Sequence, residues 1–380
     1  MLNKKEKIFY IHVFECGISS HSGGIICNFF VKNGFEMTSK SSAADIIVIN
    51  TCGFDQTREN QSFFWINKFS GKSFADKKII IFGCLTKISS LSRKIKKSKN
   101  IILIGPKDFS KFNSLFNAKI SIESIDGNQM AGRRWERDGC EENSYYITIS
   151  QGCVNRCSYC IIKKAKGFVS SEPIKQIVKE FKRGLDLGFK KFVLLADDCG
   201  SYGMDIGEDF ANLLNKLNKI KGEYKIGIYY FEPQRLKILF PKIEKSVYKK
   251  ISFICIPLQT TSQRLLVLMN RKYNIKETLE IIKDIKIIAP EIEINTHLLF
   301  SYPTETKKDF MMNIILAELG IFNTISFFCY SERKGTLAAK LGNKINLFEK
   351  RRRIEIISKI SEQSPKCVFN YPRNLKIDGV

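Results

Sequence analysis

The sequence predicts an α/β protein, with an open parallel sheet domain over residues 1–130, a partial (β/α)6 barrel over 140–345, and a helix with a short tail over 346–380. Three observations predict this. Short β-branched apolar runs alternate with helix-length amphipathic stretches along the chain, the pattern of parallel sheets covered on both faces. At 380 residues the chain has room for two full cores, at about 100–200 residues each. A polar stretch at 126–143 carrying Gly127, Gly132 and Gly139 reads as the linker between them.

In the first domain, a strand over 8–14 leads to Cys16-Gly17, and a helix is expected over 23–33, stopped by Gly34 as its C-cap. A strand over 45–50 ends at Thr51-Cys52-Gly53 and is followed by a helix over 58–69. Further strands over 78–82 and 101–104 end at Gly83-Cys84 and Gly105-Pro106. Three strands therefore end in a cysteine. Ligands of open parallel sheets bind beyond the carboxyl ends of the strands, so Cys16, Cys52 and Cys84 are expected to converge there as a three-thiolate site. A single cysteine would more often be a small buried apolar residue; the repetition argues otherwise.

Beyond the linker, strands are expected at 146–149, 191–196, 225–230, 251–257, 292–299 and 324–330. Helical patterns at 174–187, 210–217, 275–287 and 307–319 lie between them, and another follows at 347–360. Six such units predict an incomplete barrel whose active face is built from loops at the strand C-terminal ends. Directly after the first of these strands stands Gln151-Gly152-Cys153-Val154-Asn155-Arg156-Cys157-Ser158-Tyr159-Cys160, with three thiols in eight positions. A structural zinc site wants four nitrogen or sulfur ligands, and no histidine lies nearby. Three cysteines point instead to an iron–sulfur cluster with one iron left for another ligand.

Lys and Arg outnumber Asp and Glu by 62 to 38, a formal charge of +24, which suits either a polyanionic partner or a solvated basic surface. Runs at 93–99 and 350–353 concentrate that charge. The N-terminus lacks a signal-peptide pattern and no uncharged span is long enough for a membrane helix, so a cytoplasmic protein without membrane association is expected. Twelve cysteines in that compartment read as metal ligands and buried thiols. Cys255 and Cys329 sit inside apolar strands as core thiols, Cys140 lies in the linker, and Cys199 falls in a loop expected to face the site. His297 reads as a strand-core histidine, His12 and His21 support no stronger assignment, and Tyr229-Tyr230-Phe231 reads as pocket wall.

The spacing Cys153-x-x-x-Cys157-x-Tyr159-Cys160 resembles the cluster loop of radical S-adenosylmethionine enzymes. That resemblance implies that the methionyl amine and carboxylate chelate the open iron, and that an electron from the cluster splits the sulfonium to give a 5′-deoxyadenosyl radical. With one cysteine after each of three N-terminal strands, and with Asn50-Thr51-Cys52 and Gly83-Cys84, the chain resembles the methylthiotransferases, which convert an unactivated C–H to C–S–CH3. The segment from Ala196 to Asp205, with Asp198 and Tyr202-Gly203-Met204-Asp205, resembles the branch acting on a ribosomal protein more than the transfer-RNA branch. Ile256-Pro257-Leu258-Gln259 resembles the segment whose glutamine faces the cosubstrate, and Tyr330-Ser331-Glu332-Arg333-Lys334-Gly335-Thr336 matches the last motif.

The resemblance implies two 4Fe–4S clusters, one on Cys153, Cys157 and Cys160 and one on Cys16, Cys52 and Cys84. It also implies S-adenosylmethionine near Tyr159, Asp198, Gln259, Pro303 and Glu305, and an electron donor such as flavodoxin or ferredoxin. No residue is singled out as a conventional acid–base catalyst. Departures from the pattern are Glu15 and Ser19 around Cys16, Thr260 in place of histidine, and Ser301 and Thr304 in place of two glycines. The last two are expected to reshape the pocket, since glycine lets a backbone approach a ligand closely. Because the residues after 347–360 are too few for the family's C-terminal β-barrel, the expected substrate is a peptide or protein, including a ribosomally made peptide. It would be held by the N-terminal domain or basic surface, or presented by a partner protein. Adenosine in transfer RNA and a non-catalytic iron–sulfur or redox-sensing relative are the alternatives.

Overall fold

Runs of consecutive isoleucine are what an alternating strand needs when both of its faces are covered, and the first sheet is built from them. The computed structural model describes residues 7–13, 17–88, 99–128, 143–364 and 366–369; Cys16, Glu15 and Cys140 lie outside the described residues. The chain divides into a unit of Met1–Tyr146 with Ile161–Gly167, and a second of Ile147–Cys160 with Phe168–Val380.

The first unit holds β1 (Ile8–His12), β2 (Glu36–Met37), β3 (Ile46–Thr51), β4 (Lys78–Gly83) and β5 (Ile101–Ile104), in the order β2-β1-β3-β4-β5. All four pairings are parallel. Every residue of β3 is buried. Its period of two sends Ile46 and Val48, with Ile80 and Phe82, to a core shared with Phe29, Phe30, Phe112 and Phe116. Ile47 and Ile49, with Ile79 and Ile81, go to the opposite core with Ile66 and Phe69. The helix Gln56–Phe69 starts ahead of its expected position because the Asp55 carboxylate accepts from the Arg58 amide at 2.7 Å and caps it.

The first helix runs Gly17–Lys32 and not from residue 23. Its Gly23 and Gly24 are interior residues kept small by packing. A Cβ on Gly24 would stand 2.1 Å from the Gly127 carbonyl oxygen, and one on Gly23 would stand 2.6 Å from Val13. Gly34, at φ +87°, caps the C-terminus as expected.

In the second unit, β6 (Ser144–Thr148), where the division between units falls, is one edge of a seven-stranded sheet. From it the order runs through β9 (Lys191–Leu195), β10 (Lys225–Ile228), β11 (Ile251–Cys255), β12 (Glu293–Phe300) and β13 (Thr324–Cys329) to β14 (Cys367–Phe369). A two-stranded ribbon, β7 (Ser150–Gln151) with β8 (Ser170–Ser171), stands apart. Neighbours from β9 to β14 are parallel and the two edge strands do not pair with each other, which is the open barrel expected. The helices Ile174–Asp186, Phe210–Asn218, Ile275–Ile288 and Lys307–Glu318 fall between the strands as their periodicity predicts. The segment read as a plain tail is corrected by the structure. Cys367–Phe369 extends the sheet, its backbone pairing with β13 where the apolar run was too short to declare a strand. Among the described residues no helix is long and apolar enough to cross a membrane.

Phe30 is fully buried, with its ring 4.8 Å from both Phe9 and Phe116. Phe30→Ala is expected to cost about 3–5 kcal/mol in the unfolding transition of the first unit, measured in urea, because that many ring contacts cannot collapse into the void.

Candidate active site

Three closely spaced thiols can serve one ligand only if the loop carrying them is held from outside, since the loop has little backbone pairing of its own. The ribbon of β7 and β8 fixes its start, and Gly152, at φ +85°, turns the chain while its amide donates to Asp197 at 2.8 Å. Residues 268–271, which follow the helix Gln263–Leu268, supply most of the remaining hold. The Leu268 carbonyl accepts from the Ser158 hydroxyl at 2.8 Å and the Met269 carbonyl from the Ser158 amide at 2.9 Å. The Asn270 side chain donates to the Arg156 carbonyl at 2.7 Å. Arg271 donates to the Tyr159 hydroxyl at 3.3 Å and lies 3.7 Å from the Cys157 sulfur. From beyond β13, the Ala338 amide bonds the Ser158 carbonyl at 2.8 Å.

A chain of polar groups, half-buried at Asn155 and buried beyond it, connects two of the thiols. Asn155 donates to the Cys153 sulfur at 3.4 Å and to Asp198 at 3.0 Å. The Asp198 carboxylate also accepts from the Gly200 and Glu232 amides, at 2.9 and 3.1 Å, and from the Ser201 hydroxyl. Glu232 pairs with Arg271 at 3.4 Å with both side chains buried, and Arg271 returns to Cys157. Burial pushes the Glu232 carboxyl up to about 7 against the pull of Arg271. Asp198 is raised by burial as well, with Ser201, the Glu232 and Gly200 amides and the charge of Arg271 holding it back.

Burial, then Asp198, then the neighbouring Cys157 and Cys160 push the Cys153 thiol up to about 12. The Cys153 thiolate is therefore disfavoured here without a cation to neutralise it. Among the described residues no three His, Cys, Asp or Glu side chains close around a single metal ion. A cluster takes its thiolates on separate irons, so its cysteines need not meet at one point.

In the first unit, β1, β3 and β4 are successive neighbours, and Thr51 pairs with Gly83, so Cys52 and Cys84 leave the sheet at one level. Both are half-buried; the Cys84 amide donates to the Thr51 carbonyl at 3.2 Å and the Cys52 amide to Ser62 at 3.1 Å. Gly83, at φ +114°, is required there, because a Cβ would stand 2.4 Å from the Thr51 oxygen. The position of Cys16 relative to them lies outside the described residues.

The other predicted residues cluster at strand ends of the barrel. Gln259, at φ +69°, forms an isolated parallel bridge with Leu298 beyond β11. Tyr159 packs against Leu265, Met269, Tyr302 and Tyr330. Pro303 is buried, and Glu305 is buried against Arg353 of the helix Leu347–Gln363, burial pushing its carboxyl up to about 8 while Arg353 pulls it back. Ser301 and Thr304, which stand where the resemblance expects glycine, adopt left-handed φ values of +60° and +69°. The Ser301 amide bonds Glu305, and Arg264 holds the Thr304 carbonyl at 2.9 Å. Tyr302, between them, shares a 2.8 Å hydrogen bond with Ser158 of the cysteine loop.

Cys199 is corrected as well. Fully buried, it directs its thiol to the Tyr229 carbonyl at 3.0 Å, so it is a core thiol. His297 packs against Tyr230 and Phe328, with its Nε2 3.5 Å from the Cys255 sulfur. Sequence reasoning missed Asn155, Glu232, Asn270 and Arg271. Arg271 stands in Asn270-Arg271-Lys272, which reads as a solvated basic turn. The Glu232-Pro233 step after a strand was the available signal for Glu232, which caps its own turn by accepting from Gln234.

Residues 147–316 match the Radical SAM superfamily, and residues 8–105 match the uncharacterized protein family UPF0004. The chain is 26% identical to the ribosomal protein uS12 methylthiotransferase RimO of Chlamydia abortus, over 96% of this chain and 82% of that relative. It is 31% identical to the probable threonylcarbamoyladenosine tRNA methylthiotransferase of Methanocaldococcus jannaschii, over 97% and 85%. Among solved structures, the radical S-adenosylmethionine methyltransferase TsrM from Kitasatospora setae, with cobalamin and a 4Fe–4S cluster bound, has the same fold at a TM-score of 0.60. That match is at 11% identity and covers 88% of this chain and 77% of that one.

A β-branched residue in the left-handed region carries about 1–3 kcal/mol of strain, of which glycine's extra unfolded-state entropy would return about 0.5–1 kcal/mol. Thr304→Gly is therefore expected to stabilise the barrel unit by about 1 kcal/mol in denaturant unfolding, Arg264 keeping its bonds to the carbonyl and to Asp309.

Proposed function

The chain belongs to the radical S-adenosylmethionine methylthiotransferases, enzymes that use S-adenosylmethionine and two 4Fe–4S clusters, and from that premise we propose that it methylthiolates a carbon of a protein or peptide. Cys153, Cys157 and Cys160 would hold one cluster; Cys16, Cys52 and Cys84 would hold the other. Bound there, clusters and cosubstrate supply the radical chemistry that opens an unactivated C–H bond. The chain's own residues position and enclose. Ser158, fixed by residues 268–269 and Ala338, sets the loop, and Tyr302 joins it to the strand-end turn carrying Pro303 and Glu305. Tyr159, Leu265, Met269 and Tyr330 pack into an apolar wall that excludes water from one side of the thiols. Asp198, which accepts from Asn155, Gly200, Ser201 and Glu232, would orient Asn155 and the turn at Glu232.

The observation that carries the choice of a protein substrate is the segment 198–205, which resembles the ribosomal-protein branch and here braces the cysteine loop. Tyr202 donates to the Glu172 carbonyl at 2.7 Å, the Gly203 amide to Ser171 at 2.9 Å, and Asp205 accepts from the Ser171 amide at 2.9 Å. These bonds seat β8 and through it β7, the strand from which the loop departs. Relatives named for ribosomal protein uS12 match nearly the whole chain, which supports the same reading. Adenosine in transfer RNA is the second reading, favoured by the 31% identical relative and the charge of +24.

Anaerobically reconstituted protein, given a reductant and S-adenosylmethionine, is expected to release 5′-deoxyadenosine and to add one methylthio group in place of hydrogen on purified ribosomal protein uS12 or its peptides, detected by mass spectrometry. Methylthiolation confined to bulk transfer RNA would overturn the protein-substrate reading. In a separate measurement, iron content is expected to fall from about eight to about four per chain when Cys16, Cys52 and Cys84 are all changed to alanine, each cluster carrying four irons. About four irons in both proteins would overturn the assignment of those three cysteines.

A further inference from the structure

Arg271 is a buried charged residue whose guanidinium reaches a sulfur of the cysteine loop, that of Cys157. Its guanidinium is fixed from several sides. One nitrogen donates to the Pro257 carbonyl at 2.7 Å and pairs with Glu232 at 3.4 Å, while the other reaches Tyr159 and the Cys157 sulfur. The cation also lies over the Tyr273 ring, 5.4 Å from its centroid. Such a site costs desolvation at both Arg271 and Glu232, and apolar residues of similar volume would often serve stability as well. Stability is therefore a weak reason for placing an ion pair at this position.

A redox role accounts for it better. A cluster's reduction adds one negative charge next to its thiolates, and hydrogen bonds and charges at those sulfurs set its potential. A fixed cation 3.7 Å from a ligand sulfur favours the reduced state; an anion behind it opposes that effect. We propose that Arg271 and Glu232 form an opposed pair of charges that sets the reduction potential of the cluster held by Cys153, Cys157 and Cys160. Arg271 raises the potential through its contact at Cys157, and Glu232 moderates it through Arg271. Both act as positioning residues, neither touching substrate. The proposal rests on the reading that these three cysteines hold the cluster.

The test is a redox titration of the anaerobically reconstituted full chain, following by EPR the reduced cluster whose signal S-adenosylmethionine shifts, which separates it from the other cluster. It is run about one pH unit above the Glu232 value of about 7, so that the carboxylate is ionised. Arg271→Met is expected to make reduction about tenfold less favourable at a given poise, a shift of about 59 mV to more negative potential for one electron. Arg271→Lys is expected to lie nearer the wild type. Glu232→Gln is expected to shift in the opposite direction, to less negative potential. Opposite signs are the decisive result, because simple loosening of the loop would move both variants the same way. Equal potentials in wild type and Arg271→Met with full iron, or shifts of one sign in both variants, overturn the proposal. Should Arg271→Met fail to fold or to load iron, Glu232→Gln decides alone: no positive shift overturns it. A wild-type chain that loads no cluster with a signal sensitive to S-adenosylmethionine would instead overturn the underlying reading of the three cysteines.

Discussion

Three thiols within eight positions of one loop have to be held in place by the rest of the chain, and that is the constraint on which the strand-end face of the barrel depends. The loop has little backbone pairing of its own, and burial, with Asp198 nearby, pushes its Cys153 thiol up to about 12. Its hold comes from elsewhere in the chain. Residues 268–271 offer two carbonyls, an amide side chain and a guanidinium in succession, so a single turn after a short helix orders Arg156, Cys157, Ser158 and Tyr159 together. A circuit of polar contacts runs from Cys153 through Asn155, Asp198 and Glu232 to Arg271, whose cation returns to Cys157.

The same face concentrates unusual backbone. Tyr230, Gln259, Ser301 and Thr304 all adopt left-handed conformations near the ends of β10, β11 and β12, and none is glycine. Strain of this kind persists where surrounding structure overrides it and gathers at functional sites. Here the override is visible. Arg264 and Asn343 hold the two ends of the Thr304 peptide, while Arg353, from the helix Leu347–Gln363, holds Glu305 beneath Ser301. The backbone of this turn is thus maintained by long-range contacts and not by residue preference. Ser301 and Thr304 can stand where a glycine would be easier because those contacts offset the steric cost.

Much of the fold was legible in local pattern. A strand covered on both faces must be apolar throughout, and Ile46–Thr51 and Lys78–Gly83 are so composed that few other assignments fit. Cysteines following such strands fall at one edge of a parallel sheet, which is why Cys52 and Cys84 could be placed before any coordinates. Errors occurred where a local signal had a distant cause. Gly23 and Gly24 resembled a helix boundary but are interior residues kept small by Val13 and Gly127. Cys199 resembled a site thiol because it lies between strand and loop, yet its sulfur bonds the Tyr229 carbonyl inside the core.

By itself the sequence determined the α/β class, the places of most strands along the chain and the three-thiol loop. Periodicity and ligand spacing are properties of neighbouring residues and survive without a fold. Only the tertiary structure decided that Arg271 and Glu232 are buried and paired beside Cys157, that Asp198 accepts from four protein donors, and that Ser301 and Thr304 adopt a left-handed backbone. The physical reason is common to all three. Desolvation, ion pairing and backbone strain are set by residues tens of positions away, and a charged residue in a polar turn has the same local sequence whether water or a protein interior surrounds it.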